Sequence, residues 1–291
     1  QGIMGGYFAE SQGFDKNISL AVSEHYLPTG LDSKTPKKPF SIALALSDKI
    51  DTLVGFFGIN QKPTSSKDPY ALRRSALGII KLLVDNNKEF KIKDLISYSI
   101  SLYRDQGFEL TNNSLQKELS DFLIERLRYY MKEKEIRIDI VDASINSHNL
   151  DKMNEAYKKA LTLNKVIKLQ IGEDIVMSYK RASSILESEL KNQNLGLSNT
   201  TDPGIFKNDY EKNLLKKINE LKKYFSSINK DENYKVSLDN LANSKKVIFE
   251  FFDNVKVNDQ EENIKKNRLE LLQMLCRTFN NYINFSNLEV K

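Results

Sequence analysis

The sequence predicts an all-α fold, and three features lead to that prediction. Proline and glycine are scarce, with 6 and 12 residues among 291, which favours long helices over strands joined by tight turns. Apolar residues recur at helical spacing along most of the chain. Hydrophobic residues make up 40% and charged residues 29%, so a packed core is feasible. The length suits two domains better than one.

The first part of the chain is predicted to form four helices, over residues 16–26, 40–57, 68–84 and 91–104. Pro28 ends the first of them, and the second is apolar on several sides. The third has a well-defined start. The carboxylate of Asp68 is a good acceptor for the free amides of a first helical turn, and Pro69 suits the first helical position.

The second part is predicted to form seven helices, over residues 115–130, 137–146, 150–163, 172–191, 207–228, 237–255 and 260–283. Residues 107–113 are the first plausible domain boundary, so the predicted domains are 1–108 and 112–291. Tyr130 belongs to an apolar stripe and is predicted to lie in the core. Asp259 is predicted to cap the last helix.

The charge pattern allows RNA binding without requiring it. The net charge of +5 is a modest excess, not the dense basic stripe of a nonspecific nucleic-acid-binding protein. The lysine pairs at 216–217 and 222–223 are interpreted as solvated helix faces.

Cys276 is the only cysteine, which excludes an internal disulfide and any cysteine cluster for a metal. It follows a run of apolar residues, so we expect a buried structural thiol in a protein of the reducing cytoplasm. No apolar run in the sequence reaches the length of a membrane span.

Two neighbouring segments carry a specific resemblance. Residues 48–57 read DKIDTLVGFF, and residues 62–74 read KPTSSKDPYALRR. In this order they resemble the beta subunit of bacterial heterotetrameric glycyl-tRNA synthetase. Further segments that resemble this family follow one another in the expected order: QGIMG at 1–5, EHYLP at 24–28, ERLRYY at 125–130, DIVDA at 139–143, KRASSIL at 180–186, FFDNVKV at 251–257 and NRL at 267–269.

The resemblance implies the nature of both parts. Residues 1–108 are expected to be the end of an HD-like helical domain with a helical linker. Residues 112–291 are similar to the anticodon-binding helical bundle that arginyl-tRNA synthetases share with this family. Gly2, Gly5 and Gly6 are expected to lie between helices. Because the chain opens at Gln1 within a family motif, we expect a C-terminal fragment of a longer polypeptide.

The resemblance also implies a function. The parent enzyme is an aminoacyl-tRNA synthetase that joins glycine to its tRNA with ATP and magnesium, through a site on the separate alpha subunit. We therefore expect this fragment to hold no catalytic residue and to bind no cofactor or metal itself. Its expected partners are glycine tRNA and the alpha subunit, in an assembly of two alpha and two beta subunits, with no role for DNA or membranes.

A metal-dependent HD phosphohydrolase is an alternative. Such sites combine histidines, an adjacent His-Asp pair and a further aspartate, which together hold a metal that activates water. The chain offers His25, His148, Asp48 and Asp51, but it has no adjacent His-Asp pair. Salt bridging or capping is the simpler interpretation of the two aspartates. A helical scaffold that binds protein instead of RNA is a second alternative.

Basic and aromatic side chains are the better candidates for function, because proteins hold RNA through phosphate contacts and stacking. The candidates form three clusters in the second part of the chain: Arg126, Arg128 and Tyr129; Lys180 and Arg181; and Lys265, Lys266 and Arg268. For any single residue among them a solvated or salt-bridged role is favoured. Arg128 is expected to face solvent.

Arg73 and Arg74 are further tRNA-binding candidates outside the expected anticodon-binding part. They have three possible roles: contact with the tRNA body, contact with the alpha subunit, or an internal ion pair with Asp48 or Asp51. The internal role is slightly favoured.

Overall fold

A computed structural model describes residues 2–145, 149–192, 196–198, 200–227 and 233–289. Within these ranges the chain forms helices and no strands, which confirms the all-α prediction. No helix in the described part is both long and apolar enough to cross a membrane. The chain forms two compact units, one of residues 1–135 with 145–157 and one of residues 136–144 with 158–291.

The first unit contains α1 (Ile3–Ser11), α2 (Lys16–Glu24), α3 (Pro39–Gly58), α4 (Leu72–Asp85), α5 (Ile92–Asp105) and α6 (Leu115–Glu133). Helix α3 is central, since it packs against α2, α4, α5 and α6. Its side chains Ala45, Leu53 and Val54 are fully buried. Because α6 packs on α3, α4 and α5, it belongs to the first unit. The predicted domains 1–108 and 112–291 therefore differ from these units, and as domains they stay a prediction.

Helix α1 was not among the predicted helices, and Gly5 and Gly6 lie inside it instead of between helices. The glycines allow α1 to approach α2 closely. A Cβ atom at Gly6 would lie only 2.7 Å from the Cβ atom of Ser23 and 3.0 Å from the carbonyl oxygen of Ser19. Here the glycines indicate close packing and not a loop.

The start of α4 differs from the prediction in position but not in chemistry. Ala71 adopts a left-handed conformation with a φ of 55°, so the helix begins at Leu72 and Pro69 lies in the preceding turn. The carboxylate of Asp68 still satisfies the first turn, accepting from the amides of Leu72 at 2.9 Å and Arg73 at 3.0 Å. Asp68 therefore caps the helix across an intervening turn.

The second unit contains α7 (Ile138–Ser144), the greater part of α8 (Met153–Val166), α9 (Gln170–Asn192), α10 (Asp209–Ser227), α11 (Tyr234–Ala242), α12 (Lys245–Asn254) and α13 (Glu262–Phe279). Helix α13 packs against α9 and α10. Its predicted stripe is buried, as Leu271, Leu275 and Phe279 demonstrate. Cys276 is buried as predicted, and burial raises the pKa of its thiol to about 12.

Two predictions about this unit were wrong. The single helix expected over 237–255 is divided into α11 and α12, because the chain turns at Asn243 and Ser244. Asp259 does not cap α13, whose N-cap is Glu261. The Asp259 carboxylate instead accepts from the backbone amide of Glu261 and from the guanidinium of Arg268.

Candidate nucleic-acid interface

Arg73 and Arg74 differ in their surroundings. The Arg73 guanidinium donates a short hydrogen bond to the carbonyl oxygen of Thr64, so it fastens the connector before α4. Arg74 is exposed and has no ion pair within the described residues. Neither arginine pairs with Asp48 or Asp51 there, so the favoured internal ion pair was wrong. Arg73 still has an internal partner, but that partner is the backbone carbonyl of Thr64 and not an aspartate.

The cluster on α6 combines a cation with two aromatic rings. The Arg126 guanidinium lies 5.8 Å from the ring centroid of Phe122 and 5.5 Å from that of Tyr129, and it pairs with Glu125. The Tyr129 side chain and Arg128 are exposed, the latter as expected. Tyr130 is only 2% exposed, which confirms the prediction that it lies in the core. The cluster belongs to the first unit.

The cluster on α9, in the second unit, also combines a cation with two aromatic rings. The Arg181 guanidinium lies 4.9 Å from the ring centroids of both Phe249 and Phe252 on α12. It also donates to the Asp253 carboxylate at 3.0 Å, yet a third of its side chain, 36%, stays exposed. Lys180 is half-buried beside it. Packing of α9 on α12 thus holds a guanidinium beside two aromatic rings at a partly exposed position.

The cluster on α13 is largely internal. Arg268 is 4% exposed, and its guanidinium donates to the carboxylates of Glu211 and Asp259, at 2.7 Å in each case. Lys265 is 5% exposed and pairs with Glu189 at 2.7 Å. Both cations are buried and paired with carboxylates. Their role in tRNA binding stays a prediction, and their burial argues against it.

Lys266 differs from its neighbours on α13. It is half-exposed and has no hydrogen bond or ion pair within the described residues. Of the three candidates on this helix, only Lys266 presents its charge to solvent.

The carboxylates of Glu211 and Asp259, which surround Arg268, are stabilised by several hydrogen bonds. Glu211 accepts from the backbone amides of Lys207 and Asn208 in addition to Arg268, so its buried oxygens are satisfied. The backbone amide of Glu261, followed by Arg268 and Lys207, lowers the pKa of Asp259. These contacts join the start of α10 to α13, which is a structural role.

The residues considered for a metal site, His25, Asp48 and Asp51, do not form a group of metal ligands in the part of the chain that the structure describes. The Nδ1 atom of His25 lies 2.7 Å from the carbonyl oxygen of Val22. Asp48 is half-buried and Asp51 is exposed on α3. No group of three or more histidine, cysteine, aspartate or glutamate side chains arranged for a metal occurs in the ranges that the structure describes. His148 lies outside those ranges.

Lys49, next to Asp48 on α3, is a buried cation. It is 4% exposed, and its ammonium donates to the carbonyl oxygens of His25 at 3.1 Å and Tyr26 at 3.4 Å. Gly78 makes room for it, since a Cβ there would lie 2.6 Å from Cε of Lys49. Burial lowers the pKa of Lys49 from 10.5 to about 8, although Asp48 acts in the opposite direction.

A groove along α10 is a feature that the sequence interpretation missed. It measures about 490 Å³ and is lined by Pro203, Phe206, Lys212, Leu215, Lys216, Asn219, Glu220 and Lys223. Lys216 and Lys223 had been interpreted as members of the lysine pairs 216–217 and 222–223 on solvated helix faces, and Lys212 had not been considered. Their spacing was the available signal, because residues 212, 216 and 223 recur on one side of a helix.

Comparisons with known proteins match two parts of the chain to two families. Residues 1–146 match the family described as "Glycyl-tRNA synthetase beta subunit". Residues 175–290 match the family described as "DALR anticodon binding domain". The second match covers most of α9 and all of α10 to α13, which include the Arg181 cluster and the α10 groove.

Relatives extend the similarity over almost the whole chain. The glycine–tRNA ligase beta subunit of Rickettsia prowazekii (strain Madrid E) is 34% identical over 288 residues, which cover 99% of this chain and 41% of the relative. That of Ruegeria sp. (strain TM1040) is 31% identical over 289 residues, with 99% and 40% covered. The chain therefore spans about two fifths of the length of these relatives.

Proposed function

The chain belongs to the family of glycyl-tRNA synthetase beta subunits, and from that premise we propose that it binds tRNA for glycine, including the anticodon loop. The observation that carries the proposal is the match of residues 175–290 to an anticodon-binding domain. Its helical bundle presents cations beside aromatic rings at the surface, of which Arg181 between Phe249 and Phe252 is the clearest case. Phosphate contact and base stacking are the two interactions that such a surface supplies.

Within the assembly we assign this chain a positioning role in protein biosynthesis. Glycine activation with ATP and magnesium belongs to the alpha subunit, in a cytoplasmic assembly of two alpha and two beta subunits. Binding energy gained at the anticodon, far from the reacting atoms, holds the acceptor end in place and so raises the rate. No residue of this chain is assigned a catalytic, cofactor-binding or metal-binding role.

The candidates that are exposed or only partly buried are the ones we retain for tRNA contact: Arg74, Arg126, Arg128, Tyr129, Lys180, Arg181 and Lys266. Arg73, Lys265 and Arg268 take internal partners and are assigned to the fold. Arg74 and the α6 residues lie in the first unit, so we propose for them contact with the tRNA body or the alpha subunit.

The test is the binding of three RNAs by the 291-residue chain: glycine tRNA, the same tRNA with a changed anticodon, and an unrelated tRNA. Fluorescence anisotropy at about 50 and about 200 mM salt separates phosphate contacts from specific ones, because phosphate contacts weaken steeply with salt. We expect the first RNA to bind best and the anticodon change to remove that preference. Absence of binding to all three at the lower salt would overturn the proposal in favour of a protein-binding scaffold.

A further inference from the structure

The groove along α10 has the form of a site for a single RNA strand. Lys212, Lys216 and Lys223 are four and seven residues apart, so they lie within about 40° of one another around the helix. They extend over about 16 Å along its axis. The three lysines thus lie on one side of α10, and all three line the groove.

Two of these lysines are free to meet a ligand. Lys216 and Lys223 are exposed and have no carboxylate partner within the described residues. Lys212 pairs with Asp209 at 2.9 Å, but both side chains are mostly exposed, so this pair is weak. Glu220 also lines the groove, where Lys217 lies 3.7 Å from its carboxylate.

The groove also has an apolar part, formed by Pro203, Phe206 and Leu215. Phe206 is half-buried, and its ring stacks on no other aromatic ring in the part of the chain that the structure describes. Since every base has a π-face, a ring of this kind accepts a base of any identity.

The segment that carries Phe206 is fastened at both ends. The Asn267 side chain on α13 accepts from the amide of Asp202 at 2.8 Å and donates to its carbonyl oxygen at 3.0 Å. On the other side the Lys207 amide donates to Glu211 at 2.8 Å. The backbone on both sides of Phe206 is therefore held in place before any ligand arrives, which reduces the entropy lost on binding.

We propose that the α10 groove binds a single-stranded RNA loop, with Lys212, Lys216 and Lys223 on phosphates of one strand and Phe206 beneath one unpaired base. This inference rests on the proposed tRNA function and places part of the contact in a site separate from Arg181. A positive groove that tracks the backbone beside an aromatic platform is the arrangement that single strands require. The line of like charges beside one carboxylate favours a polyanion over an apolar peptide.

The test compares Lys216→Gln/Lys223→Gln with the matched control Lys235→Gln/Lys246→Gln. The control removes the same charge from exposed positions elsewhere in the second unit. Binding of glycine tRNA is measured at several salt concentrations. We expect the groove variant to bind at least about fivefold more weakly, with a salt slope smaller by about 1.4, since each single-strand phosphate contact contributes about 0.7. The control should stay within about twofold of the unchanged chain.

Phe206→Leu tests the stacking part separately. It keeps an apolar side chain and removes the ring, so affinity should fall about fivefold or more while the salt slope stays unchanged. Equal binding by the groove variants and the control would overturn this inference and leave the proposed tRNA function intact. An unchanged chain that binds no tRNA would overturn both. Loss of poly-glutamate binding with unchanged tRNA binding would assign the groove to an acidic protein segment instead.

Discussion

Arg181 and Arg268 are two arginines of the same unit, and they differ in what surrounds the charge. Arg268 is buried between the carboxylates of Glu211 and Asp259, whereas Arg181 lies between two phenyl rings with a third of its side chain exposed. Both belong to basic clusters in segments that resemble the same family. A basic side chain of this unit therefore keeps its charge available at the surface only where the fold supplies no buried carboxylate to pair with it.

The largest expected effect comes from Arg268→Ala. Its removal leaves the buried Glu211 carboxylate without its cation, so the free energy of unfolding should fall by about 3–5 kcal/mol. Urea denaturation followed by circular dichroism measures this loss. The neighbouring Lys266→Ala, at a half-exposed position, serves as the control and should change stability by no more than about 0.5 kcal/mol. If the Arg268→Ala chain folded with unchanged stability but bound tRNA more weakly, Arg268 would belong to the RNA-binding surface and not to the fold.

Lys49 extends the comparison to a buried cation that meets carbonyl oxygens instead of a carboxylate. Its pKa is about 10.5 when unfolded and about 8 when folded. Between these pH values the unfolded chain binds more protons, so stability rises with pH. Below pH 8 the buried Lys49 is charged, and its burial lowers the free energy of unfolding by the full amount. This destabilisation disappears as the pH rises toward 10.5.

Lys49→Met removes this dependence. The stability of the original chain relative to the variant should therefore rise by at most about 3 kcal/mol over that interval. Urea denaturation of both chains near the two ends of the interval measures the change. A difference that stays constant with pH would mean that Lys49 keeps its ordinary pKa in the folded chain.

Local features of this chain were predictable from its sequence, whereas long-range contacts were not. The apolar stripes of α6 and α13 and the burial of Tyr130 were predictable, because helical spacing is a local property. The fate of Arg268 was not, since its partner Glu211 lies 57 residues away in sequence. Helix α1 was missed because Gly5 and Gly6 have low helix propensity, and only contact with α2 explains them.

The candidate site shows the same limit. Arg181 and Lys180 were recognisable as a basic pair, but Phe249 and Phe252 reach Arg181 only through the packing of α9 on α12. In the α10 groove, lysine spacing is local, whereas the segment before Phe206 is held by a contact of Asp202 with Asn267 on α13. Spacing therefore indicates which residues share a face, and tertiary contacts decide what that face does.

The smallest effect on stability is expected for Arg181→Ala. Two cation–π contacts and a partly exposed ion pair should together contribute about 1 kcal/mol. Under the proposed function, the affinity for glycine tRNA should fall even though the fold is retained. Arg181→Lys, which keeps the charge but loses the planar contact with the rings, should recover part of that affinity. Unchanged tRNA binding by both variants would remove Arg181 from the interface.

The most direct test of the central claim is lysine acetylation of the whole chain with and without glycine tRNA, read by mass spectrometry at low salt. We expect tRNA to slow the modification of Lys180, Lys216 and Lys223, which are exposed or half-exposed in the second unit. Lys265, buried beside Glu189, should react slowly in both conditions. Protection of Lys265 without protection of the other three would contradict the claim that exposed cations, and not buried ones, hold the RNA.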